Sequence, residues 1–588
     1  MATAVLLAEE VGQERKPRPY HPSPWGDFFL NHRPCTPAQL QAMKEKAQAK
    51  KEEVRRIIVA AAAAPALAAK LELVDVLQRI GVDYHFGKEI DDLLRAVYDG
   101  DAKDDDDDLY LTSLRFYLLR KHGCNASSDV FAKFRDEQGN FATGDDVKCL
   151  LMLFDAAHLR VHGEEVLDSA IASTRSRLQS LMGNLEPEMA EEVRDTLETP
   201  SFRRVQRVEA HRFFSEYEKK ATRDETVLEF ARLDYNILQT IYCDELKDLS
   251  IWWKNFQSVT ELGFARDRML EMHFWMLGVC YEPYYSYSRK LLTKCITLAS
   301  LFDDFYDNYS TTEESNIFTA ALERFALAAS RFAVVIYNTK KYRDLLEFDG
   351  RWDERAAEQL PAYLREFYLN TLSTTNGIED DLKHQNNKHA ELVKGLVLEL
   401  AKNYHAEVKW RDENYVPTKV EEHLQLSVPS SGCMQITAFA LVSMGDVATS
   451  EAIEWARTYP KIVRGVCVIG RVMNDIVSHE REQTSDHVVS TVQTCMKEYG
   501  FTVAQANKKL GEIVEEAWMD MVQECLDQKH AMTLLERAVN LARTMDFLYK
   551  REDAYTLSHS IKGIMTSLYV NPPFFSDIKI SSNRAVDD

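Results

Sequence analysis

Glycine and proline are scarce in this chain of 588 residues, at 22 and 16, well under the roughly 7% and 5% of average usage. Folds that turn at frequent glycine and proline corners are thereby disfavoured, and the abundance of Ala, Leu, Glu and Lys favours helix over strand. Positive charge is in deficit, with a formal net charge of -22. Nucleic acid and anionic membrane both reward a basic face, so neither is expected as a partner. The ten cysteines lie far apart, the nearest two being Cys280 and Cys295, which leaves no disulfide framework and no C-x-x-C metal site to read from spacing. Long apolar runs are missing too. The longest, Ile57 to Ala69, contains Pro65 and falls short of the about 20 residues that cross a bilayer. There is no G-x-x-x-x-G-K-[ST] loop, no H-E-x-x-H pair and no solenoid repeat.

What is present is helical periodicity over a length that suits two or three cores. Residues 1–35 are rich in proline, arginine and aromatics and read as an arm that packs on the rest, with Trp25 and Phe28 as anchors. From 36 to 233 apolar residues recur at helical spacing, as in Leu73, Val76, Leu77 and Ile80, between polar turns such as HGCNASSD. From 234 to 588 the helices lengthen, and aromatic-rich faces such as FWMLGVCYEPYYSYS alternate with charged ones. An all-α protein of two helical domains behind an arm is expected. The opening stretch MATAVLLAEEVGQERK carries Glu9 and Glu10 and few hydroxyl or arginine residues, so a cytoplasmic address is expected rather than an organellar one. Asp104 to Asp108 include the spacing D-x-D-D at Asp104, Asp106 and Asp107. A general acid needs a buried carboxyl, and a run of five like charges prefers water, so this run is read as a solvated loop. The N-x-S matches at Asn125 and Asn308 are read as chance.

Three constellations carry chemistry. In SLFDDFYDNYS, Asp303 and Asp307 are four residues apart with Asp304 between them, which on a helix sets the outer pair roughly 40° apart on one face. Carboxylates so placed suit a hard divalent cation, because Mg²⁺ takes one or two of them and fills its other positions with phosphate oxygens and water. In RVMNDIVSHEREQ, Asn474, Ser478 and Glu482 form a second oxygen stripe at i, i+4 and i+8, about 12 Å long. With only one carboxylate it holds a cation weakly unless the ligand brings negative charge of its own. In FARDRMLEMHFW, Arg266 and Arg268 flank an acidic residue just before a helix, and guanidinium forks match phosphate oxygens.

The order R-x-R, D-D-x-x-D, N-D-x-x-S-x-x-x-E closely resembles the plant class I terpene synthases. RLDYNILQTIYCDELKDLSIWW, LYLTSLRFYLLRKHGCNASSDVF and the R-R-x8-W-like placement of Arg15, Lys16 and Trp25 extend the likeness over nearly the whole chain. The resemblance implies an amino-terminal α-barrel domain without an active site of its own and a carboxyl-terminal metal-binding bundle. It makes Asp303 and Asp307 ligands of two Mg²⁺ ions and Asn474, Ser478 and Glu482 ligands of a third, with Mn²⁺ able to substitute. Asp304 becomes a partner just outside that ligand set. Arg266, Arg268 and Arg471 become contacts of the departing diphosphate. It further implies that Trp275, Tyr549 and Tyr555 wall and lid a cation pocket, with Asp553 on the lid and Ser431 and Gly432 at a helix break facing the cation. A π-face attracts a desolvated cation by about 2 kcal/mol or more without offering a nucleophile. Lysine at position 16 and a weakly basic stretch from Gln483 to Asp486 depart from the family pattern. The expected activity is that of a sesquiterpene synthase acting on farnesyl diphosphate, with a monoterpene synthase or an inactive helical scaffold as alternatives. The expected partner is the small isoprenyl diphosphate alone, and the expected assembly a monomer, with a weak homodimer the alternative.

Overall fold

The computed structural model describes residues 20–100, 108–136, 141, 144–260, 263–323, 354–483 and 488–571. Arg15, Lys16, Asp104 to Asp107 and the stretch 484–486 lie outside them. Among the described residues there is no strand, only an isolated backbone pairing of Arg135 with Phe141, and the protein is all-α, with helices in two domains as its composition leads one to expect. Local chemistry sets several helix ends. Thr36 and Gln39 form a reciprocal capping box at the start of helix Pro37–Ala63, satisfying donors that the first turn leaves open. Asp108, last of the aspartate run, caps helix Leu109–Lys121 by accepting from the Leu111 amide. All ten cysteines are free.

The two domains share one spar. Helix Glu225–Val259, capped by Asp224, runs 35 residues without a break, and the boundary expected at 233/234 falls inside it. Its first half packs along Pro37–Ala63, and further along it meets helices Met269–Val279 and Ser286–Asp304. Both junctions carry buried polar ties. Asp234 accepts from the Tyr84 hydroxyl at 2.6 Å and faces His85 at 2.8 Å. Glu245 takes a two-pronged bond from Arg289, at 2.7 and 2.9 Å, and faces His273 at 3.0 Å. Most buried apolar residues of both domains merge into one continuous core, with Leu150, Leu151, Leu178 and Val193 forming a small separate cluster in the first domain.

The second domain packs helix Lys461–Glu482 against Val503–Asp527 and Met532–Leu548. Gly465 lets these helices approach closely, because a Cβ there would stand 2.6 Å from Met521 Cγ. The arm lies over this domain. Phe29 is its deepest anchor, 5.9 Å ring to ring from Trp25 and 6.2 Å from Tyr569, while Trp25 and Phe28 are only partly buried. The stretch Val420–Ser443 is long and apolar enough to cross a membrane by length and composition, although polar residues interrupt its apolar ones. It is interrupted at Gly432, which has φ +71°, and most of it is buried inside the domain.

Candidate active site

Helix Ser286–Asp304 buries Leu298, Leu301 and Phe302, and this apolar face carries its aspartates inward. The α-helix stops at Asp304 and continues as a wider π turn, Phe305–Tyr309, where the sequence led us to expect one uninterrupted α-helix. Turns of this kind recur at functional sites. Asp304 is 1% exposed and accepts from the Arg266 amide at 3.0 Å, while its other oxygen lies 2.9 Å from Arg266 Nε and takes the Tyr20 hydroxyl at 3.3 Å. Arg266 Nη2 donates to Asp303 at 2.6 Å. Asp307 is buried, and its Oδ1 has no hydrogen-bond partner. Burial pushes its carboxyl well above the ordinary range, and the nearby Asp303 and Glu407 add to this against Arg471.

The opposite wall belongs to helix Lys461–Glu482. Asn474 and Glu482 line the same pocket as Asp303 and Asp307. Ser478 is fully buried beside them on that helix, its hydroxyl without a partner. Arg471 donates to Ser430 Oγ at 3.4 Å and stands 3.9 Å from Glu407 and 3.8 Å from Asp475. Six carboxylates (Asp303, Asp307, Glu407, Asp475, Glu482, Asp553) face three arginines (266, 471, 481) around this pocket. A surplus of buried negative charge calls for cations. The donors fit Mg²⁺: all are hard oxygens, and buried Asp307 Oδ1 and Ser478 Oγ lack partners. Among the described residues no three His, Cys, Asp or Glu side chains converge on one point.

Arg268 is placed differently from Arg266. It is fully buried and spends its donors on backbone carbonyls, those of Tyr555 at 3.0 Å, Thr556 at 2.8 Å, His21 at 3.0 Å and Asp267 at 2.8 Å. Its guanidinium staples the arm and the 555–556 backbone together and does not line the acidic pocket. Asp553 accepts from Arg481 at 2.7 Å and from the Thr556 amide at 3.0 Å, and Thr556 Oγ1 accepts from Arg266 Nη1 at 3.1 Å. Trp275 meets Tyr555 and Tyr549 edge to face at 5.4 and 6.0 Å. These three rings, Ile296, Ser431 and Gly432 line a second pocket that shares Arg266, Asp303, Arg471 and Asn474 with the acidic one. The aromatic pocket holds about 90 Å³ and the acidic one about 40 Å³, so the walls must part to admit anything of ligand size, typically about 300 Å³ or more.

Reading the motifs alone misses Glu407, Asp475, Arg481 and Tyr20. Arg481 was reachable, being seven residues after Asn474 and so on the same helix face. Asp475, which accepts from the Thr491 amide at 2.6 Å and is pushed up to about 6 by burial, is adjacent to Asn474. Glu407 comes from helix Leu392–Asp412, and nothing local marks it.

This arrangement has close parallels. The family model described as "Terpene synthase family, metal binding domain" matches residues 254–520, and "Terpene synthase, N-terminal domain" matches 24–197. The chain is 54% identical to an (E)-beta-caryophyllene synthase of Zea mays over 94% of its own length and 96% of the relative's. It is 41% identical to a beta-sesquiphellandrene synthase of Sorghum bicolor over 97% and 99%. The crystal structure of isoprene synthase from grey poplar with three Mg²⁺ ions and dimethylallyl-S-thiolodiphosphate superposes with a TM-score of 0.78 at 30% identity, covering 91% of this chain and 98% of that one. The chain therefore belongs to the terpene synthase family and is an enzyme, a lyase whose second domain is the family's metal-binding domain.

Proposed function

We propose that this enzyme is a sesquiterpene synthase that ionises farnesyl diphosphate and guides the allylic cation to a C15 product. The observation carrying this is a pair of opposed oxygen stripes with unpartnered buried atoms, opening directly onto an aromatic pocket. Asp303 and Asp307 would hold two magnesium ions and Asn474, Ser478 and Glu482 a third. Bound magnesium supplies the positive charge that makes diphosphate a competent leaving group. Arg266 and Arg471 would take diphosphate oxygens, Arg266 being aimed by the Asp304 carboxylate on its amide. Arg268 acts at one remove by fixing the lid backbone. Trp275, Tyr549 and Tyr555 turn π-density toward the cation while excluding water, and the Asp553 contacts hold the lid across the mouth. The same reading puts the enzyme in the cytoplasm, where ten free cysteines persist, and makes it a monomer, which size-exclusion chromatography tests.

The chemistry is tested by gas chromatography with mass spectrometry of products from farnesyl and geranyl diphosphate, with Mg²⁺, with Mn²⁺ or with chelator. Sesquiterpenes from farnesyl diphosphate that vanish with chelator and with Asp303→Ala support the proposal. Products from geranyl diphosphate alone would make it a monoterpene synthase. No product from either, in folded protein, would refute the assignment.

A further inference from the structure

A cavity several times larger than either pocket lies behind the lid. It is an open-sided cleft of about 560 Å³ between helices Pro187–Glu198 and Gln206–Lys219 of the first domain and residues 547–568 of the second. The lid segment has two faces. Tyr549, Asp553 and Tyr555 line the acidic and aromatic pockets, whereas Lys550, Arg551, Glu552 and Ala554 line the rear cavity. Whatever fills the rear cavity therefore bears on the backbone that walls the reaction chamber.

The floor of this cavity is apolar, formed by Val205, Val208, Phe547, Leu548, Ile561 and Leu568. Its rim is charged, but the arginines there meet carboxylates within the protein. Arg204 pairs with Glu209 at 3.1 Å, Arg212 with Asp195 at 2.9 Å, and Arg551 grips Glu198 through Nε at 2.7 Å and Nη2 at 2.5 Å. An anionic ligand would have to break these pairs, whereas a neutral one would not. The volume falls within the range of about 300–1,000 Å³ typical of small-molecule sites. The Arg551–Glu198 clasp crosses from lid to first domain at an exposed position, where an ion pair yields readily.

We propose that the rear cavity is a second binding site for a neutral, apolar molecule of about fifteen carbons, and that its occupancy slows the lid. The neutrality and the room come from the cavity; the length of about fifteen carbons, and with it the identification of that ligand with the enzyme's own product class, rests on the proposed function. Product held there would slow its own successors by bracing the lid from behind, since lid opening limits turnover in many enzymes.

Two measurements on the full chain test this. The neutral dye N-phenyl-1-naphthylamine is titrated into protein holding Mg²⁺ and inorganic diphosphate, and displaced with farnesol. Val208→Trp and Ile564→Trp each fill the rear cavity from a different helix, with thermal melting as the check on folding. Binding weakened about tenfold or more in both variants is expected, since each indole takes up the space in which the ligand would bury its apolar surface. Farnesol should also lower kcat without raising KM for farnesyl diphosphate, and lose that effect in the variants. Dye binding that ignores both substitutions, or farnesol inhibition that is purely competitive, would overturn the inference. Dye binding needs no turnover, so a protein that binds at Val208 yet makes no sesquiterpene would refute the proposed reaction and leave the site standing.

Discussion

Replacing Asp307 by asparagine should make the metal-free protein more stable and the enzyme nearly inert. Asp307 is buried in the π turn with Oδ1 unpartnered, and burial together with Asp303 and Glu407 disfavours its charged form, Arg471 alone among the dominant neighbours opposing them. An isosteric amide removes the charge and keeps the shape. Folding must bury this carboxylate or protonate it, a cost the amide does not carry even though its own oxygen still lacks a partner, so Asp307→Asn should gain about 1–3 kcal/mol in chelator. For 588 residues unfolding together this amounts to roughly 1–2.5 °C in melting midpoint. The order should invert when ligand is added. Mg²⁺ and diphosphate at about a hundred times their dissociation constant stabilise the native protein by about 2.7 kcal/mol, and the variant, short of a ligand, should gain much less. Turnover should fall about a hundredfold or more, the loss that even disturbing a ligand's support can cause. Differential scanning fluorimetry with and without chelator, beside a product assay, reads all three quantities. A variant less stable than the native protein in chelator, or stabilised as much by Mg²⁺ and diphosphate, would refute the reasoning.

Other substitutions separate holding from reacting. Arg268→Lys cannot reach four carbonyls with one ammonium, so hydrogen exchange over 553–558 should speed up while Mg²⁺-dependent diphosphate binding survives. Arg266→Lys should instead weaken that binding, as isothermal calorimetry would show. Glu245→Gln leaves Arg289 buried without its charge partner and should cost about 3–5 kcal/mol in urea unfolding. Burial would raise the Glu245 carboxyl, but Arg289 and His273 outweigh it and hold it down at about 2. Its contribution is therefore complete above its unfolded value near 4.5 and is lost as pH falls from there toward 2. Gly278→Ala would set a Cβ 2.1 Å from Thr544 Oγ1, and overpacking of that kind costs about 1–3 kcal/mol; adding Thr544→Ala should restore much of it in the same unfolding assay.

Periodicity carried the reading where side-chain roles follow from one helix. The candidate oxygen stripe at 474/478/482 was legible because residues on a single helix face need only a spacing, and 303 and 307 were paired by the same spacing although the π turn carries Asp307 past the end of the α-helix. Arg268 was not, since its motif twin Arg266 has the same local surroundings and only the arm and the 555–556 backbone decide which of them faces the acids. The π turn at 305–309 replaces an α-helix that local sequence favours equally, and tertiary packing chooses between them. Glu407 joins the site across sequence distance, without a local signal. The boundary set at 233/234 followed a change in character along the chain, but the buried residues of helix Glu225–Val259 run through that point on both sides.

That helix makes the two halves mechanically one. Over about 52 Å it acts as a beam clamped at one end among the first domain's helices and again past its midpoint by Glu245 on Arg289, which sits on the helix that carries Asp303 and Asp304. A tilt imposed near Pro37–Ala63 is delivered to Asp303 and Asp304, so substitutions in the first domain, away from the candidate site, should alter product ratios. Chimeras between relatives should therefore be joined ahead of Asp224 or beyond Thr260, keeping the beam whole; a junction at 233 would splice together two sequences that each packed against a different neighbour.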